Sequence, residues 1–241
     1  MIPGRRLAVR RILACGLAAA CLLLGGCIYL RLLELKLQLG NFDRHFALET
    51  ADGLTLVCRS PVLRADDVRW IGLKPATIRR EPGAEHWQVR WVKQLPPGVT
   101  EPEALDLALD LDFTDGRLAR AVVAEKYFAL MPKSFVADVI RSTASGQVDK
   151  SARRLQTTVT AQARPDLPAI RRLLGVPSEE HAEDTGTSLR YRYVPVTPEA
   201  GATALEMTLR FATASGELLR WHARTPVGSL AFDFAGTGAQ K

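Results

Sequence analysis

The sequence predicts an α+β fold: two repeated units of antiparallel sheet with packed helices, preceded by an N-terminal apolar helix. Three observations predict it. Two segments about one hundred residues apart read alike. Each holds a strictly alternating strand, and each opens on a short helix stopped by glycine and proline.

Along the chain, residues 1–11 carry Arg5, Arg6, Arg10 and Arg11 and no acid, and residues 12–26 are apolar. A basic stretch followed by a short apolar run is the plan of a secretory signal, so 1–26 reads as signal peptide or anchor. The run closes on Leu24-Gly25-Gly26-Cys27. This resembles the lipobox of bacterial lipoproteins: an aliphatic residue, two small residues, then cysteine. The resemblance implies cleavage before Cys27 and acylation of its thiol by lipid, palmitate included. Each buried CH₂ of an acyl chain adds about 0.8 kcal/mol of membrane affinity, so several chains anchor a protein permanently. Residue 28 is Ile rather than Asp. By resemblance to sorted lipoproteins this implies the periplasmic face of the outer membrane. The alternative is an uncleaved inner-membrane anchor with a periplasmic domain. Apolar character continues through Ile28-Tyr29-Leu30, Leu32 and Leu33, giving a span of roughly 20 residues interrupted by Arg31.

Residues 27–47 form a membrane-proximal helix by expectation. Leu30, Leu33 and Leu37 share a helical face, and Leu, Glu, Lys and Gln favour helix over strand. The first α+β unit spans 48–131 and the second 157–234, with a connecting helix and linker over 132–156 and a disordered tail over 235–241. In each unit a strand ending at Pro61 or Pro165 precedes the helix. The helices read 65–71 before Gly72 and Pro75, and 166–174 before Gly175 and Pro177. An aromatic strand follows, with Trp87 and Trp91 on one face in the first unit and Tyr191 and Tyr193 in the second. Next come Leu105-Asp-Leu-Ala-Leu-Asp-Leu-Asp-Phe113 and Leu205-Glu-Met-Thr-Leu-Arg-Phe211, whose period of two puts one set of side chains inward and the other outward. Asp115-Gly116 and Ser215-Gly216 then turn the chain into a last strand. Between the units, Pro132 to Ser145 reads as a helix with Gly146 after its end.

A short helix ending Leu174-Gly175-Val176-Pro177, the strand Tyr191-Arg192-Tyr193, and a hydrophobic strand running from Phe211 into a glycine turn resemble the small outer-membrane lipoproteins of the β-barrel assembly machinery, the SmpA/OmlA or BamE-like fold. The tandem arrangement is also similar to the β-lactamase inhibitor protein, built from two such units. The resemblance implies a fold and no binding residues. The first unit departs from it, with Gly72-Leu-Lys-Pro75 where the pattern has Gly-x-Pro.

The 241 residues carry a net charge of +6. The four arginines of the first 26 residues account for +4 of it, and the remaining +2 excludes a nucleic-acid footprint. Cysteines stand at 15, 21, 27 and 58. With Cys27 acylated, Cys58 has no partner for a disulfide in the cleaved chain. His45, His86, His181 and His222 form no metal-binding spacing, and no nucleophile elbow, phosphate loop or dinucleotide fingerprint occurs. Asp106, Asp110 and Asp112 share one strand face, which suits either a cation or solvent. Trp87, Trp91, Tyr191 and Tyr193 suit either a contact platform or the cover of a sheet under a helix.

The expectation is therefore a non-enzymatic lipoprotein of the cell envelope, with no catalytic residues, metal or cofactor. It is held at the membrane by lipid or helix and acts as a protein-binding or assembly module for another envelope protein. Two alternatives stand beside it. One is an enzyme whose site is assembled from distant residues. The other is a carrier of lipid or another apolar ligand in the periplasm, held between the two sheets, which requires a continuous apolar cavity on the order of a few hundred Å³.

Overall fold

The computed structural model describes residues 28–234 except 102–103, 129–131, 150, 161–163, 184–185, 198, 203 and 226–227. The signal 1–26, the lipobox residues Leu24, Gly25 and Gly26, the acylation site Cys27 and the tail 235–241 lie outside the described residues. In chain order the elements are α1 (Ile28–Gly40), α2 (Phe42–His45), β1 (Phe46–Glu49), β2 (Leu54–Cys58), α3 (Ala65–Trp70), β3 (Thr77–Glu81), β4 (Ala84–Gln94), β5 (Leu107–Thr114) and β6 (Arg117–Val123). There follow α4 (Lys133–Ser142), β7 (Gln147–Asp149), β8 (Arg154–Val159), α5 (Leu167–Leu174), β9 (Glu179–Glu183), β10 (Gly186–Val196), β11 (Leu205–Ala212), β12 (Leu218–Thr225) and β13 (Gly228–Phe234).

These strands form one sheet in the order β1-β2-β6-β5-β4-β10-β11-β12-β13-β8-β7, with β3 on β4 and β9 on β10. The α+β expectation is corrected: among the described residues the molecule is mostly β, a single mixed sheet of 13 strands with a few short helices. Two physical reasons account for the difference. The helices of the repeat, α3 and α5, hold only 6 and 8 residues and cannot make a layer. And β4 pairs with β10, so the sheets of the two halves are continuous.

That central pairing has a two-fold character. Val92 and Val194 stand opposite each other, flanked by Arg192–Gln94 on one side and Val196–Arg90 on the other. A repeat offset of 102 residues, Val92 to Val194, exchanges these two flanking pairs. The turns repeat too: the bridge Arg64–Arg117 matches Asp166–Glu217, and bulges fall at Asp112/Phe113 and Arg210/Phe211. The repeat breaks at its outer strand. β2 pairs antiparallel with β6, whereas β13 is inserted beside β12 and β8 joins it in parallel.

Alternation sorts the strands into two faces. The inner face carries two cores. One gathers Trp87, Val89, Leu111 and Phe113 with Val68 of α3; the other gathers Leu189, Tyr191, Tyr193 and Phe211 with Ile170 of α5 and Phe135 of α4. Trp91 packs against both. Trp87 is buried, its ring tilted 45° against Phe113 at a centroid distance of 4.5 Å, with the Arg69 guanidinium 4.3 Å over its ring. Burial of an indole is worth about 4–6 kcal/mol by area, so it outweighs the cation–π contact of about 1–2 kcal/mol.

Helix α1 lies on this body. Leu32 and Leu35 join the first core, Gln38 donates to the Ser60 carbonyl at 3.0 Å, and Arg31 grips the Asp67 carboxylate through both Nε and Nη2 at 2.6 Å. Its other face leaves Tyr29, Leu30, Leu33 and Leu37 exposed. Among the described residues no helix is long and apolar enough to cross a membrane.

Candidate functional site

The leucine-rich alternation of β5 and β11 builds an apolar groove. Leu107 and Leu109 of β5, Met207 and Leu209 of β11, and Leu218 and Trp221 of β12 supply its sheet side. Phe135 and Val136 of α4, with Ile170, Leu173 and Leu174 of α5, form the opposite wall. The volume is about 390 Å³. Strands from both halves line one groove although the β4–β10 pair separates them, so the inner face is concave here.

Almost no polar surface faces this groove. Tyr127 lines it, but its hydroxyl is consumed by β5: it donates to the Asp106 carbonyl and accepts from the Ala108 amide, both at 2.7 Å. Trp221 contributes the exception, since its Nε1 is buried without an acceptor among the described residues. An unpaired buried donor costs about 1–3 kcal/mol. A dry void of this volume in a closed core would cost about 9 kcal/mol at ~24 cal/mol per Å³. That is comparable to the whole stability of a domain, and the groove escapes such a cost by being open on one side.

The helices over the groove are held by specific local chemistry. Asp166 caps α5 by accepting from the Ala169 amide at 2.7 Å, and Pro168 stands in its first turn. At the other end the fully buried Lys93 ammonium donates to the Leu174 carbonyl and to Glu101, and lies 5.6 Å from the Tyr191 ring centre. Lys93 belongs to β4 and Leu174 to α5, so this contact clamps one half of the repeat to the other.

The aromatics singled out from the sequence lie in the cores. Trp87, Tyr191 and Tyr193 are buried beneath helices, and Trp91 is half-buried at the junction of the two clusters. Burial raises both Tyr191 and Tyr193 well above the usual phenol range. Asp110 and Asp112 of β5, and Asp106 just before it, each meet a residue of β4: Asp112 meets His86 at 2.8 Å, Asp106 meets Arg90 at 2.6 Å, and Asp110 accepts from Gln88 at 3.4 Å. No group of three potential metal ligands occurs among the described residues. Cys58 lines a smaller pocket of about 230 Å³ under α1, and burial pushes its thiol up to about 11.

The carrier alternative requires an apolar cavity, but the sequence does not single out the residues that line this groove. Its residues are the inward set of the alternating strands, but a void leaves the same pattern as a filled core. The only signal was the unusual leucine content of 105–111 and 205–209 without aromatic bulk. No family model, curated protein or solved structure matches this chain.

Proposed function

We propose that this chain is a membrane-anchored envelope protein that binds the acyl portion of a lipid in the groove between its sheet and helices α4 and α5. The observation that carries the reading is the apolar groove of about 390 Å³, within the range of about 300–1,000 Å³ typical of small-molecule sites. Its chemistry selects an aliphatic occupant. The buried Trp221 Nε1 adds a donor for one ester or carboxyl oxygen. A protein-binding scaffold has less to stand on, because the expected contact aromatics are core residues.

The anchoring part of the proposal rests on α1. Arg31, which interrupts the apolar run of the sequence, is committed to Asp67 of the body. A span reaching Leu33 would pull that guanidinium into lipid and leave Asp67 buried alone, at a cost of several kcal/mol. This favours attachment at Cys27, with the exposed Tyr29, Leu30, Leu33 and Leu37 face resting in the bilayer interface.

The test uses the full chain in neutral detergent. A fluorescent fatty acid is expected to bind saturably and to be displaced by unlabelled fatty acid. Filling the groove with Leu107→Trp and Leu205→Trp is expected to weaken binding at least about tenfold, while Arg190→Gln on the opposite sheet face leaves it unchanged. Equal binding by the filled variant and the native chain would refute the groove as the site.

A further inference from the structure

The outer face of the sheet is a ladder of arginines that are neutralised one by one. Arg90 meets Asp106, Arg190 meets Glu206 and Glu179, Arg210 meets Glu183, and Arg220 meets Asp233. The corner where β8, β12 and β13 converge departs from this pattern. Arg153, Arg154 and Arg224 line an open polar pocket of about 400 Å³ there, together with His222, Thr225 and Ser229. Among the described residues no carboxylate forms an ion pair with any of the three arginines; Asp149 of β7 stands opposite Arg154 and feels its charge, but its carboxylate accepts from the Ser151 hydroxyl at 2.6 Å and the Ala152 amide at 3.1 Å. Glu206 stands opposite Arg224 in register, yet its carboxylate turns to Arg190 and Arg192. Asp233 is taken by Arg220 and Gln156.

The backbone holds the corner in place. Arg153 has a left-handed conformation, φ 48°, rare for a residue with a side chain. Its carbonyl accepts from the Ser229 amide at 2.9 Å, and a Cβ on Gly228 would fall 2.3 Å from the same oxygen. Only glycine at 228 lets the two segments meet. Around His222 stand Arg220 and Arg224 on its own strand, Arg154 on β8, Thr208 on β11 and Ala231 on β13. Burial, and then these three arginines, hold its imidazole below the usual range.

We propose that this corner is a binding site for a phosphate-class oxyanion, held by Arg153, Arg154 and Arg224. Three guanidinium groups around one pocket match the planar, forked recognition of phosphate oxygens, and among the described residues none of the three is engaged in an ion pair. The site is on the opposite face of the sheet from the groove, and its existence does not depend on lipid binding there.

The full chain in neutral detergent micelles is titrated with inorganic phosphate at fixed ionic strength. The His222 ring resonance, identified by its loss in His222→Gln, reports occupancy. Phosphate is expected to shift that resonance saturably and to raise the His222 pKa. Arg154→Gln with Arg224→Gln is expected to weaken the effect about tenfold or more, whereas Arg90→Gln, whose guanidinium is already paired, leaves it intact. Each single variant is expected to weaken it by a smaller factor and carries the test if the double variant folds poorly. Micelles doped with phosphatidylglycerol separate the sources of the anion. A lipid headgroup gives the same shift, reversed by phosphate; a free phosphate leaves doped and phosphatidylcholine micelles alike. Absence of a saturable shift from both probes, or equal binding by the double variant and the native chain, overturns the proposal.

Discussion

Asp67 shows how one residue couples helix α1 to the body. Its carboxylate is almost fully buried, accepts from both Nε and Nη2 of Arg31, and accepts from the Arg64 amide at 2.8 Å. Desolvation raises its pKa, but the Arg31 hydrogen bonds and charge and the Arg64 amide together outweigh it, and the net direction is down. The sign for stability follows: a carboxyl depressed in the folded state contributes fully above the unfolded pKa, about 3.9, and loses its contribution as pH falls through the folded value. Arg31→Ala is expected to destabilise the protein by about 3 kcal/mol in urea titrations at pH 7, because it strands a buried carboxylate. The deficit is expected to shrink as the pH is lowered below about 4. Cys58 makes a second expectation at this scale. With its thiol pushed up to about 11 by burial, native Cys58 holds about a hundredfold less thiolate at pH 8 than a free thiol. Iodoacetamide labelling read by peptide mass spectrometry is expected to leave it unmodified until the protein is unfolded.

At the level of elements, legibility depended on whether local chemistry decides the structure. Helix α5 was readable because Asp166, Pro168 and Gly175 mark its ends, and α4 because Pro132 and Gly146 bracket it. The strands β4, β5, β10 and β11 were readable from alternation. β9 was not: Glu179-Glu-His-Ala-Glu183 is exposed along its length, has no apolar alternation, and becomes a strand only because β10 offers its backbone. β3 is largely exposed as well. The cap of α5 gives the element its own test. Asp166→Ala removes the bond to the Ala169 amide and is expected to cost about 1 kcal/mol, read as a shift in urea midpoint at constant slope. Since α5 forms a wall of the groove, the same variant is also expected to weaken fatty-acid binding without touching a groove residue.

For the whole molecule, the pairing of β4 with β10 was the feature that sequence could not supply. Nothing in Val92 or Val194 announces that they face each other, because long-range partners depend on geometry rather than on local pattern. Reading two units as two sheets followed from that gap, and it carries a thermodynamic consequence. Separated sheets unfold separately, whereas here each half closes an edge of the other. Further contacts cross the same boundary. Buried Lys93 clamps β4 to the end of α5, Arg69 meets Glu199 at 3.0 Å, and Thr197 donates to the Pro75 carbonyl at 2.8 Å. Opening the junction would expose two central strand edges and a buried ammonium, so a half-folded state is costly. Scanning calorimetry of the full chain is therefore expected to show one transition, with the calorimetric and van't Hoff enthalpies equal. Lys93→Ala strips the clamp and leaves Glu101 and the Leu174 carbonyl without their cation. It is expected to lower the transition by about 3 kcal/mol while keeping it single, since the β4–β10 ladder remains. Two resolved transitions in the native chain would show that the halves are energetically independent despite their shared sheet.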